Sequence, residues 1–257
     1  MRDFRIIAAL LVACLSGGGP VNANGILVLG GTGELGVRVV KLLVEKNEDV
    51  TVFVRASSDR SSLAGLDVDY VVGDLLDQAS VNAAFAHKPY RAVINAVRTT
   101  TEIVDFYRIS NEHIVEAAKS RGIKQIIHHG AIGAGANMAL HPDVPWNRLP
   151  YLQPRMMDHG VSEEVLFSSG IPITIIRNGQ MWPNDTKPTG SAVLTEDRRV
   201  MTPITRADLA RFTMECLDNP ECSNKVYHNK DDLLSWPPPC DPLNSPSYKC
   251  GYPVLNK

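Results

Sequence analysis

From Ile26 onward, short apolar runs alternate with longer segments in which apolar residues recur every three or four positions. The runs Ile26–Leu29, Val50–Val54, Val68–Val72, Ala92–Ala96, Gln125–His129 and Ile173–Ile176 predict six strands. Between them the spacing predicts helices over Leu35–Glu45, Glu102–Ser120 and Met156–Ser168. The second of these closes on Arg121-Gly122, a cation and then a glycine, as helix C-termini prefer. Short strands alternating with helices predict an α/β fold, a doubly wound parallel sheet with helices on both faces.

After Ile176 the alternation loosens. Residues 182–190 form a polar stretch, and Ser191–Thr195 with Arg199–Thr202, around Glu196-Asp197-Arg198, predict a hairpin. Thr205-Arg206-Ala207-Asp208 is a capping pattern that opens a helix over Leu209–Leu217, and Val226–Asn229 reads as a last edge strand. From about residue 180 the chain is therefore expected to form a small C-terminal cap. Such a cap would cover the carboxyl ends of the strands, where open α/β sheets bind their ligands. Residues 25–230 read as one domain, followed by a Pro- and Cys-rich tail over residues 231–257.

Composition narrows the picture modestly. The 257 residues are 44% hydrophobic and 21% charged, which is ordinary globular composition. The formal charge is −2, so nucleic-acid binding through phosphate neutralisation has no basic excess to work with. Residues 1–24 read as an export signal: Arg2 and Arg5, the apolar run Ile6–Leu15, a glycine break, and Val21-Asn22-Ala23 at the usual cleavage spacing. The apolar run is too short to span a bilayer, which needs about 20 residues. Leu11-Val12-Ala13-Cys14 offers a rival reading, a lipoprotein box that would leave Cys14 lipidated. The expected location is the periplasm or the exterior, or the cytoplasm if the segment is a mis-assigned start.

Signal removal would leave Cys216, Cys222, Cys240 and Cys250, an even number with three pairings open. A bridge between Cys240 and Cys250 could staple the tail, and Cys216 reads equally well as a core thiol. None of the spacings is a zinc pattern, and no metal site is expected.

The chemistry begins at Gly30-Gly31-Thr32-Gly33-Glu34-Leu35-Gly36, between the first strand and the first helix. Glycines there permit a tight turn and close approach of backbone N–H groups to a pyrophosphate, which meets the positive end of the helix dipole. This context makes the fold Rossmann-like and Gly30, Thr32, Gly33, Glu34 and Leu35 cofactor-binding candidates. An NAD site would place a carboxylate at the end of the second strand. The chain has Arg55, then Ser57, Ser58 and Arg60, a guanidinium and hydroxyls suited to a 2′-phosphate, so NADP(H) is the expected cofactor.

In order along the chain stand the glycine loop, Val50-Thr51-Val52-Phe53-Val54-Arg55-Ala56-Ser57-Ser58, Val71-Val72-Gly73-Asp74, Arg98, Leu152-Gln153 with Asp158-His159, Ser169-Gly170-Ile171-Pro172, and Thr189-Gly190 through Asp208-Leu209. Together they resemble an atypical short-chain dehydrogenase/reductase, most like the biliverdin-IXβ reductase/flavin reductase branch and its NmrA-like relatives. The resemblance covers residues 25–230. It implies NADPH binding by Gly30, Thr32, Gly33, Leu35, Arg55, Ser58, Asp74 and Leu75, with nicotinamide-side packing near Ala96, Val97 and Arg98. It also implies hydride transfer to a small-molecule acceptor such as a flavin, a bilin or a similar conjugated ring.

The departures concern proton transfer. Ordinary members of the superfamily use Ser with Tyr-x-x-x-Lys. Counting back from Glu163, the Lys position is His159 and the Tyr position is Arg155; Tyr151-x-x-x-Arg155 is one turn too early. The serine position at the end of the fifth strand is Ala131, and Asn178-Gly179 stands where the flavin reductase branch has a histidine. A conjugated acceptor mainly has to be stacked on the nicotinamide, and Gly130 with Ala131 would leave room for one. The alternative is a non-catalytic NADP(H)-binding sensor or scaffold. The catalytic candidates are His129, on the face of Ala131, and His159, each of which also reads as a structural residue, His129 more so. His129 would then be a satisfied core histidine and His159 a solvent-facing one. Glu163 and Glu164 read as a solvated helix face, and Trp146, Tyr151 and Trp182 as pocket walls or cap core.

Overall fold

A computed structural model describes residues 24–99, 103–147, 150–183 and 186–235. The predicted export signal, apart from Asn24, and the tail cysteines Cys240 and Cys250 lie outside the described residues. The strands are β1 (Gly25–Leu29), β2 (Val50–Val54), β3 (Asp69–Val72), β4 (Tyr90–Asn95), β5 (Gln125–Ala131), β6 (Ile173–Asn178), β7 (Val193–Thr195) and β8 (Lys225–Lys230). The helices are α1 (Glu34–Glu45), α2 (Gln78–Ala86), α3 (Phe106–Arg121), α4 (Leu152–Phe167) and α5 (Arg206–Cys216). One eight-stranded sheet runs β3-β2-β1-β4-β5-β6-β8-β7, parallel throughout except for β7 against β8. The doubly wound Rossmann-like sheet expected from the alternation is the fold.

Residue parity sorts the core. Ile26, Val28, Ile94, Ile127 and Ile176 face α1 and α5, while Leu27, Leu29, Val93, Ile126, Ile173 and Ile175 face α2, α3 and α4. The central strands β1, β2, β4, β5 and β6 are buried on both faces, which is why these segments read as continuous apolar runs, whereas β3 and β7 are partly exposed. Complete burial of one such side chain is worth about 1.5–3 kcal/mol.

Several expectations change. Helix α2 was not predicted, because QASVNAAFA lacks a clear apolar stripe; the Asp77 side chain caps it by accepting the Ala79 N–H at 3.0 Å. Helix α3 begins at Phe106, after Asp105 takes a left-handed φ of 55°, and α4 begins at Leu152, a turn earlier than Met156. The two helix starts are joined: the Asp158 carboxylate on α4 accepts the N–H groups of Tyr107 (2.8 Å) and Arg108 (2.9 Å) at the start of α3.

The predicted hairpin is corrected. Val193–Thr195 pairs with β8 and not with residues 199–202, so β8 is an interior strand and β7 the edge. Residues 199–202 fail to extend because Asp197 holds Arg199, accepting its backbone N–H at 3.0 Å and its guanidinium at 2.9 Å. They meet β8 through side chains instead, with His228 Nδ1 on the Val200 carbonyl oxygen (2.8 Å) and Asn229 on that of Thr202 (3.0 Å). The capping pattern at Thr205 holds: its Oγ1 accepts the Asp208 N–H at 3.0 Å. Cys216 is not a free core thiol but is disulfide-bonded to Cys222, tying the end of α5 to the approach to β8. Among the described residues no helix is long and apolar enough to cross a membrane.

Candidate cofactor site and active-site face

The glycine loop turns at Gly30, whose φ is +77°. A Cβ there would lie 2.8 Å from the Ala96 carbonyl group, so the loop after β4 occupies the space that a side chain would need. The turn is closed by the Gly33 N–H on the Gly30 oxygen at 3.0 Å, and the Val37 N–H then reaches the Gly33 oxygen at 2.8 Å to start α1. The first-turn N–H groups of α1 thus present the positive end of a helix beside a bare backbone cradle, which fits a dinucleotide pyrophosphate.

The other predicted cofactor residues gather on the same sheet edge. Ser58 closes a turn on Arg55, accepting its backbone N–H at 3.1 Å, and leaves the Arg55 side chain exposed beyond β2. Arg60 lies over the Tyr70 ring at 5.0 Å. Asp74 accepts the Leu76 N–H at 2.9 Å, which fixes the turn after β3 around Leu75. Asn95 organises Ala96, Val97 and Arg98: its oxygen accepts the Val97 N–H (3.2 Å) and its amide donates to Asn111 (3.0 Å). Glu34 differs from the rest, because its carboxylate is ion-paired with Arg206 at 2.6 Å. A carboxylate there would repel a pyrophosphate, so the contribution of Glu34 is its backbone N–H.

The active-site face is built differently from the expectation. His159 is neither solvent-facing nor a cation: it is buried, and its ring stacks on Tyr107 with centroids 3.7 Å apart and planes at 28°. Burial, with the charges of Arg155 and Arg177, lowers its pKa to about 3. The Tyr107 hydroxyl accepts the Thr99 N–H at 3.3 Å, and burial raises its pKa. His129 lies on the opposite face of the sheet, with Nε2 2.9 Å from Thr213 Oγ1 on α5 and a pKa lowered to about 4 by burial. The two histidine candidates are therefore separated by the sheet, and His129 is a core histidine bonded through Nε2 alone, its Nδ1 meeting no hydrogen-bond partner among the described residues.

Glu163 is not solvated. Its carboxylate takes Arg177 Nη2 at 2.6 Å and Nε at 3.1 and 3.2 Å, with the two side chains 5% and 8% exposed. It also fills the space over Gly130, where a Cβ would lie 2.6 Å from its Oε1. The room expected at Gly130 is taken, while Glu164 is exposed as predicted. Sequence reasoning missed Tyr107 and the Glu163–Arg177 pair. An arginine inside the apolar run ITIIRN was the available signal, since a buried charge demands a partner. Trp182 belongs to the buried core of the cap, and Trp146 packs on Gly133.

Residues 30–220 match the model of a family described as NAD(P)H-binding. The chain is 30% identical over 131 residues to sterol demethylase protein B of Methylococcus capsulatus, covering 49% of this chain and 40% of that protein. It is 24% identical over 208 residues to the NAD(P)H azoreductase of Xenophilus azovorans, covering 79% of this chain and 66% of the relative. It thus spans less than two thirds of the length of either. Its fold is similar to that of ChuY, an anaerobillin reductase from Escherichia coli O157:H7, at a TM-score of 0.70 and 22% identity, over 82% of this chain and 98% of that one. Glycine cradle, doubly wound sheet and family match agree: the chain belongs to the family described as NAD(P)H-binding, with a Rossmann-like fold.

Proposed function

We propose that this protein is an NADPH-dependent reductase that passes hydride to a flavin, a bilin or a similar conjugated acceptor. The observation that carries the reading is an intact dinucleotide cradle beside an active-site face whose histidines are held uncharged by burial. When bound, the cofactor supplies the hydride. The first turn of α1, with Gly30 and Gly33, would hold its pyrophosphate, Arg55 and Ser58 its 2′-phosphate, and Ala96–Arg98 its nicotinamide end. An acceptor that spreads the incoming charge over a ring needs orientation and exclusion of water more than a proton donor. The chain fits that demand: Ala131 carries no hydroxyl, His159 is a neutral plate under Tyr107, and the Glu163 carboxylate is engaged by Arg177.

A second reading, a non-catalytic NADP(H)-binding sensor or scaffold, is favoured by Glu163 occupying the space over Gly130. Anaerobic NADPH oxidation followed with FMN and with biliverdin separates the two. Turnover with either acceptor supports the reductase. Saturable NADPH binding without turnover gives the sensor.

A further inference from the structure

Helix α5 begins with a cation where the helix dipole favours an anion, since Arg206 is its first residue. The side chain is only 12% exposed and turns away from α5. Its Nη2 meets the Glu34 carboxylate at 2.6 Å and its Nη1 donates to the Trp182 carbonyl oxygen at 2.5 Å. Glu34 is the first residue of α1, beside the glycine loop. One turn along α1, Arg38 donates to the Glu34 carbonyl oxygen at 3.1 Å, and the charges of Arg38 and Arg98 both bear on Arg206. The guanidinium groups of Arg38, Arg98 and Arg206 and the N-termini of α1 and α5 therefore gather beside the cradle, with the Glu34 carboxylate paired to Arg206. Guanidinium groups and helix N-termini gathered in this way would favour a pyrophosphate bearing two negative charges.

We propose that Arg206 is a ligand of the cofactor's pyrophosphate, which it takes up in exchange for Glu34. In the free protein Glu34 occupies the guanidinium. In the complex the phosphates displace the carboxylate, while Nη1 keeps its hold on Trp182. The cap is tied to this exchange, because the Trp182 N–H bonds the Ile204 oxygen at 2.9 Å and its indole N–H bonds the Ser235 oxygen at 2.9 Å. Arg206 then links cofactor arrival to the segment that would cover an acceptor. The proposal depends on NAD(P)H binding by the family and is independent of which acceptor is reduced.

The test is fluorescence titration of NADPH, with no turnover required, on the full chain and on Arg206→Gln and Glu34→Gln. Adenosine 2′-monophosphate, which lacks the pyrophosphate, serves as the second probe. Arg206→Gln should weaken NADPH tenfold or more, leave the monophosphate within twofold, and reduce the salt dependence of NADPH binding. Glu34→Gln should tighten NADPH at least threefold by removing the competing carboxylate. Unchanged NADPH affinity in Arg206→Gln, or equal losses for both probes, overturns the assignment. Should Arg206→Gln fail to fold, Glu34→Gln decides alone, and unchanged or weaker NADPH binding there overturns it. If the wild-type chain binds neither probe, the cofactor reading fails and the proposal with it.

Discussion

The ring of His159 lies nearly face to face with that of Tyr107, centroids 3.7 Å apart. Asp158, the preceding residue, caps the start of α3 and so holds Tyr107 against it. An ammonium would lower the pKa of a neighbouring phenol; a buried neutral imidazole packs against it instead. The stacked pair is thus a structural contact between α3 and α4.

That contact has a pH signature. His128, His129 and His159 titrate at about 3, 4 and 3 in the folded chain, because burial disfavours their charged forms, against an ordinary value of 6.5. Between pH 6.5 and about 4 the unfolded chain binds more protons than the folded one, so stability falls as the pH falls. Each histidine removes up to about 1.4 kcal/mol per pH unit in that window. Urea unfolding at pH 7.5, 6.5, 5.5 and 4.5 should show the decline, and His159→Phe should flatten it in part, since burial also lowers the pKa of His141 and His228. A wild-type midpoint independent of pH over this range would contradict the burial argument.

Cofactor choice is expected to rest on Arg55. Arg55→Ala should weaken NADPH binding by about 1.5–3 kcal/mol, the scale of a hydrogen bond to a charged group, and leave NADH nearly unchanged. Titration with both nucleotides checks this, and equal losses would remove Arg55 from the 2′-phosphate site.

Arg177→Met strands the Glu163 carboxylate in the core. A loss of about 3–5 kcal/mol in unfolding free energy is expected. The double variant Glu163→Leu with Arg177→Met should recover much of that loss, since no charge is then left buried alone. Denaturant unfolding of both variants measures it; an equally unstable double variant would show that packing, not charge, sets the cost.

The missing hydroxyl at residue 131 offers a check on catalysis. If the acceptor is a delocalised ring, Ala131→Ser should change the rate of flavin reduction by less than about tenfold, equivalent to 1.36 kcal/mol of barrier. Steady-state assays on the two proteins suffice. A hundredfold gain would mean that the wild-type site lacks a group its reaction needs.

For the N-terminus, we expect mature protein from the native host to lack the first 23 residues. Intact mass decides, with a lipidated chain beginning at Cys14 as the other exported outcome. A full-length chain recovered from the cytosol would discard the export reading. The same preparation should show no free thiol at Cys216 or Cys222 when labelled without reductant.

Much of the fold was legible in the residues because strands buried on both faces leave uninterrupted apolar runs, and the glycine loop has few uses other than the one it has here. The positions of Gly30, Arg55 and Asp74 just past the ends of β1, β2 and β3 were legible for the same local reason. What escaped the sequence was non-local. Glu163 reads as a surface acid until Arg177, 14 residues on, is placed against it. His159 reads as a solvent-facing base until α3 lays Tyr107 over it. Val193–Thr195 pairs with residues 228–230, distant in the chain, which no local pattern encodes.

The last strand in the sequence is not the last in the sheet. Because β8 inserts between β6 and β7, the hydrogen-bonding edge of β6 has no neighbour in the sheet until residues 225–230 have been made. A chain released or cut before that point would carry an open parallel edge flanked by apolar faces, an invitation to pair with another molecule. Completion of the sheet and the bracing of residues 200–202 by His228 and Asn229 thus wait on the same stretch of chain, and shortening the protein from its C-terminal side into residues 225–230 would undo them together.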